Sequence, residues 1–206
     1  MEFIGITGGV GAGKSEILNF IQREYQAYIL LADELAHELM LPGTDCFEEI
    51  RTVFGTEDIF SAQGGLDKKK FAAVIFSDEK KRKTVNGIVH QAVKREILKR
   101  VKKEREDGKF SYFILEAALL IEEGYDKICD ELWYIDASRQ TRRRRLKETR
   151  GYSDAKIDVL FWSQLSEEEY KKRCSVVIEN NGSLEEAFCQ IRKAFADRSR
   201  KKLVRR

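Results

Sequence analysis

The chain has 206 residues, with 38 Lys and Arg against 35 Asp and Glu, for a formal net charge of +3. That excess is too small to argue for a nucleic-acid partner, no apolar stretch approaches the ~18 residues of a membrane span, and the length suits one α/β domain with a small insertion. Cys46, Cys129, Cys174 and Cys189 show neither C-x-x-C nor metal-ligand spacing, which predicts free thiols in a reducing cytosol.

Residues 3–7 are an apolar run that predicts a strand, and residues 8–15 (GGVGAGKS) follow at once. They fit G-x-x-x-x-G-K-S in the setting that gives the motif meaning, a strand entering and a helix leaving. Glycine lets successive backbone N–H groups curl inward around phosphate oxygens, where a Cβ would block the turn. Gly9, Val10, Gly11, Ala12 and Gly13 form that cradle. Lys14 can then reach the outer phosphates, and the Ser15 hydroxyl can ligate Mg²⁺. The helix that follows aims its positive dipole end at the same anion, with Glu16 in its first turn. A bound nucleoside triphosphate, ATP with Mg²⁺, is the expectation. The loop opens so early that no leader peptide is expected before it, which predicts a cytoplasmic location.

The second strand is expected over residues 27–31, with Asp33 just beyond it at the sheet edge where α/β ligands bind. A carboxylate there can accept the proton of an attacking hydroxyl. It can equally cap the helix running through Leu35 and Leu39. A long helical stretch follows, in which Val85, Ile88, Val89, Ala92, Val93, Ile97 and Val101 recur at helical spacing between Lys, Arg and Glu. That stripe is core packing. So much helix at one crossover predicts an insertion over about residues 61–109 that builds an acceptor-side lobe. The rest of the core is expected over about 1–60 and 110–196.

A third strand is expected over residues 112–115 and a fourth over 132–135. Glu116 ends the third, a place for a carboxylate that holds Mg²⁺ through water, or for an ion-pair or helix-start residue. Residues 139–150 carry Arg142, Arg143, Arg144, Arg145 and Arg150. On a helix these point around the whole cylinder, so most belong to a salt-bridged solvated face and one or two turn to the triphosphate. This stretch begins a lid over about residues 139–165. Ser153 is placed to cap a helix toward Trp162, and Ser166 with Glu169 and Ser183 with Glu186 have capping-box spacing. The last strand falls at 176–178, before Asn180, Asn181 and Gly182. The basic end, residues 197–206, is expected as a solvated or frayed terminus, or else an anion-binding arm.

Short apolar strands alternating with helices predict an α/β fold of the P-loop NTPase type: a five-stranded parallel sheet flanked by helices, with the helical insertion and the Arg-rich lid. The guanine signature N-K-x-D and the segment D-x-x-G are absent, which counts against a switch GTPase, and no L-S-G-G-Q-like segment supports a transporter ATPase. A small-molecule or nucleotide kinase fits better.

Taken together, the blocks resemble the dephospho-coenzyme A kinase family from Ile4 to about Ala196. The segments are GITGGVGAGKS, LLADELAHELMLPG (30–43), GGLDKKKFAAVIFSDEKKRKTVNGIVH (64–90), ILEAALLIEEGYD (114–126), RRLKETRGYSDAKIDVLFWSQ (144–164) and SVVIENNGSLEE (175–186). The order of the blocks carries the resemblance, since a P-loop alone is widely shared. It implies transfer of the γ-phosphoryl of ATP to the ribose 3′-hydroxyl of dephospho-coenzyme A. Asp33 would be the base, Arg145 and Arg150 phosphate contacts of the lid, and Asn180 part of the loop near adenine. His90 and Glu116 would lie on the acceptor side. The chain departs from the family's usual pattern at Leu31, where Asp is common, at Glu16, at Gln91 after His90, and at Glu116, Ala117 and Ala118. Two alternatives accompany the kinase reading: another nucleotide or small alcohol as acceptor, and a nucleotide-binding paralogue with little transferase activity. A monomer is expected, its partners small molecules.

Overall fold

A strand buried on both faces needs apolar side chains along its length, but its backbone ladder can continue to where the side chains meet polar surroundings. The computed structural model of the chain, which describes the backbone of residues 1–204 and the side chains of residues 1–198, shows this at four strands. The strands are β1 (Glu2–Thr7), β2 (Ala27–Leu31), β3 (Tyr112–Glu116), β4 (Glu131–Asp136) and β5 (Val176–Glu179). Each of β1, β3, β4 and β5 runs past its apolar stretch onto an acidic residue. The sheet order is β2-β3-β1-β4-β5, with β1 parallel to β3 and β4, and β4 parallel to β5. This is the expected five-stranded sheet of a P-loop α/β fold.

The helices in chain order are α1 (Lys14–Glu24), α2 (Ala32–Leu39), α3 (Asp45–Phe54), α4 (Lys68–Ser77), α5 (Glu79–Asp107), α6 (Arg139–Arg150), α7 (Asp154–Trp162), α8 (Glu167–Arg173) and α9 (Leu184–Val204), with a short 3₁₀ turn at Tyr125–Lys127. They divide between two compact units. Residues 1–30 and 107 onward form the first, and residues 31–106 the second.

The first unit holds most of the sheet. Phe3, Phe113, Trp133, Tyr134 and Tyr170 are among its fully buried side chains. Helix α9 closes it through Phe195, whose ring centroid lies 3.9 Å from Tyr25 and 4.7 Å from Tyr112. Helix α9 continues to Val204, and Arg198 forms ion pairs with both Glu2 and Glu131, while the side chains of the rest of the basic end lie outside the described residues. Arg205 and Arg206 lie outside the described residues. Both capping-box serines accept from the predicted N–H groups, Glu169 at 3.2 Å and Glu186 at 3.3 Å, and Ser153 caps α7.

In the second unit, all seven residues of the Val85–Val101 stripe are buried along α5, which runs unbroken for 29 residues. The insertion expected over 61–109 falls almost wholly in this unit, which also takes in α2 and α3. Asp67 starts α4 by accepting the N–H groups of Lys69 and Lys70.

All four cysteines are free. Cys46 and Cys174 are buried and Cys189 is exposed, while burial pushes the thiols of Cys129 and Cys174 up to about 12. Among the described residues no helix is long and apolar enough to cross a membrane.

Candidate active site

Between the end of β1 and the start of α1 the chain turns through Gly8 to Gly13. Gly11 and Gly13 have φ of +81° and +87°, a region that side chains with a Cβ rarely enter. The loop closes with Ala12 N–H donating to Gly9 O at 3.0 Å. Gly13 occupies the N-cap of α1 and no side chain caps the helix, so the N–H groups of its first turn are left to an anion.

Lys14 folds over this turn. Its Nζ donates to Gly8 O at 2.7 Å and sits 3.4 Å from Oε1 of Glu116, at the end of β3. Glu116 thus forms an ion pair with Lys14. Ser15 and Glu16 are exposed on the first turn of α1.

Helix α6 explains why its arginines differ. Ser138 caps its start by accepting from Thr141 N at 3.2 Å. Arg142 and Arg145 are one turn apart on one face and both meet the glycine loop. Arg145 donates through Nη1 to Ala12 O at 3.3 Å and through Nη2 to Asn180 O at 2.9 Å. Burial, and then the charge of Arg144, lower its pKa. Arg143 turns away, to Asp154 at 2.6 Å and to Asp158. Arg150 ends the helix exposed, its guanidinium 6.0 Å from the Tyr152 ring. The solvated-face expectation thus holds for Arg143, and the structure brings Arg145 but not Arg150 onto the loop.

Asn180 is 1% exposed, and its Nδ2 donates to Ala12 O at 2.7 Å. Its backbone N–H donates to Asp136 O at 2.7 Å, continuing the β4–β5 ladder. Its side chain therefore braces the loop from behind. Arg142 and Gln164 were not singled out by the sequence. Arg142, 6% exposed, lies flat over Phe161 at 4.4 Å and donates to Gln164 Oε1 at 3.3 Å. The same oxygen accepts from Val10 N at 3.2 Å. Arg142 is one of four consecutive arginines, and nothing local marked it as the buried one.

In the second unit, Asp33 sits exposed in the first turn of α2. The N-cap position belongs to Leu31, and no side chain caps the helix, so the capping alternative for Asp33 is set aside. His90 is half-buried midway along α5.

This geometry is a glycine loop at a helix N-terminus, with two cations from different elements, Lys14 and Arg145, bonded to its carbonyls. The comparisons with known proteins agree. The sequence model of the dephospho-CoA kinases matches residues 2–186. A dephospho-CoA kinase of Aquifex aeolicus is 36% identical over 200 residues, covering 97% of this chain and 99% of its own. A crystal structure of a Thermus thermophilus protein is 27% identical with a TM-score of 0.79, covering 95% of this chain and 97% of that one. A Campylobacter jejuni dephospho-CoA kinase shares the fold at a TM-score of 0.69 and 19% identity, covering 98% of this chain and all (100%) of that one. With its glycine loop and nearly its whole length matched, the chain belongs to the dephospho-CoA kinase family.

Proposed function

We infer that this chain is a phosphotransferase that uses ATP to phosphorylate dephospho-coenzyme A, giving coenzyme A. The observation that carries the reading is the convergence of Lys14 and Arg145 on one glycine loop, in a chain of this family. Phosphoryl transfer asks a protein mainly for positioning and charge stabilisation. The loop's N–H groups hold the phosphates, while Lys14 leaves Gly8 O and Glu116 for the β- and γ-phosphates. Arg145 answers the charge that develops on the transferred group. The 3′-oxygen of the acceptor ribose forms the new P–O bond, the bond from the γ-phosphorus to the bridging oxygen breaks, and ADP leaves.

Asp33 is assigned the proton of the acceptor hydroxyl, supported by its exposure and by its having no capping duty. His90 is assigned to the acceptor side, and Arg150 to an outer phosphate contact of the lid. Ser15 and Glu116 offer hard oxygen donors that suit Mg²⁺ better than softer metals. Bound there, Mg²⁺ neutralises phosphate charge. The neighbourhood of Asn180 is assigned to the adenine.

The test is a coupled ADP-release assay with dephospho-coenzyme A, AMP and other nucleoside monophosphates as acceptors, the product identified by mass. Dephospho-coenzyme A is expected to stimulate turnover alone, and Asp33→Asn to lower kcat by about 10²–10⁴-fold with KM for ATP little changed. Turnover with a nucleoside monophosphate and none with dephospho-coenzyme A overturns the acceptor. A lowered Tm with kcat preserved in Asp33→Asn overturns the base.

A further inference from the structure

A glycine-rich loop is a good anion cradle because its peptide planes turn freely, and for the same reason it needs something to hold them. In this chain, Gly8, Gly9 and Gly11 leave the loop's first half with few side-chain anchors of its own. Val10 is the exception, and its N–H points to Gln164 Oε1 at 3.2 Å. That oxygen stands just past the end of α7, 154 residues along the chain.

The same Oε1 accepts from Arg142 Nη1 at 3.3 Å. Arg142 lies so close to the loop that a Cβ on Gly9 would meet its Nη1 at 1.9 Å. Phe161 lies beneath its guanidinium and Glu167 stands 4.0 Å from its Nη2. Its Nε is buried without a partner, and burial lowers its pKa. Arg142 is therefore a wall of the loop and not a phosphate ligand. One turn further along α6, Arg145 bonds to Ala12 O. A single amide oxygen thus ties the peptide between Gly9 and Val10, the lid helix α6 and the end of α7 to one another.

We propose that Gln164 is a positioning residue for the nucleotide, acting through Val10 N–H and Arg142 to fix the cradle and, with it, the reach of Arg145. The proposal rests on the kinase reading above for its substrate, and on the glycine loop alone for nucleotide binding. It uses only the acceptor lone pairs of the amide; the NH₂ end has no part in it.

Three variants separate this from a merely structural role. Gln164→Glu keeps the acceptor oxygens and the reach, and is expected to stay within about threefold of the parent in kcat/KM for ATP. Gln164→Leu keeps the volume and removes the acceptor, while Gln164→Asn keeps the acceptor and shortens the reach by one methylene. Both are expected to lower kcat/KM for ATP by about 10–100-fold, the scale of a small misplacement of catalytic groups, with KM for dephospho-coenzyme A unchanged. The Kd for a non-hydrolysable ATP analogue, measured by calorimetry on the full chain, is expected to rise in the same order. Parent-like ATP parameters in Gln164→Leu or Gln164→Asn overturn the proposal, as does an equal rise in KM for both substrates. If Gln164→Leu fails to fold, Gln164→Asn and Gln164→Glu still decide it. The calorimetric series needs no acceptor, so it decides the proposal even if dephospho-coenzyme A proves to be the wrong substrate.

Discussion

Lys14 holds a backbone carbonyl and a carboxylate at once, with only 14% of its side chain exposed and 13% of that of Glu116. In this arrangement Gly8 and Glu116 hold the loop cation in place. Removing it takes away the one cationic side chain of the loop while the backbone cradle, set by Gly11 and Gly13, remains. Lys14→Ala is expected to fold, to melt within a few degrees of the parent, and to lose at least ~10²–10³-fold in kcat/KM. Steady-state kinetics beside a thermal melt checks this, and parent-like turnover would remove Lys14 from the active site. At this scale the sequence was most legible where residues are contiguous: Gly8 to Ser15 declare their chemistry in eight letters. Gln164 and Arg142 declare nothing, because their meaning is a contact with a loop more than a hundred residues away. Only folding brings an amide oxygen to Val10 N–H.

Among the elements, α6 is the one whose faces do different work. Its spacing sends Arg142 and Arg145 to the loop and Arg143 to α7, where Asp154 and Asp158 receive it. Arg150 occupies the last turn, where a cation suits the helix's negative end whatever else it does. Arg145→Ala is therefore expected to lower kcat by about 10²–10³-fold, and Arg150→Ala by less than about tenfold with a larger share in KM. A reversed order, measured in the same assay, would move the phosphate contact to the end of the helix. That several arginines are surface residues could be read from the sequence, since six in twelve positions cannot share one face. Which of them turn inward depended on the packing of α6, where Leu146 is buried with Ile157 and Phe161 of α7. The strands show a similar limit. Their centres were plain from apolar runs, but Glu2, Glu116, Glu131, Asp136 and Glu179 remain extended because the backbone ladder, not the side chain, sets where a strand stops.

Over the whole molecule, the two ends of the chain meet in the first unit. Arg198 on α9 pairs with Glu2 at the start of β1 and with Glu131 at the start of β4, and Glu131 also accepts from Trp133 Nε1 at 3.1 Å and Ser175 Oγ at 3.0 Å. All three charged side chains are less than a fifth exposed, 15% for Arg198 and Glu2 and 19% for Glu131. Removing Arg198 takes a cation away from two carboxylates in a poorly solvated place. Arg198→Ala is expected to cost about 3 kcal/mol, a fall in Tm of roughly 6–12 °C for a chain of this size. The kcat measured below the transition is expected to be unchanged. An unaltered melt would mean that α9 is held by Phe195 and its aromatic neighbours alone. None of this was visible in the basic composition of the last residues, which looks the same whether an arginine is solvated or clamped.

The burial of the thiols also has a practical side. Cys46 and Cys174 are covered, and Cys129 and Cys174 stay protonated far above neutral pH. Cys189 on α9 is the exposed thiol, so a maleimide offered to the folded chain is expected to react there first, and the natural sequence already carries a handle for a fluorophore or spin label without any cysteine having to be engineered in.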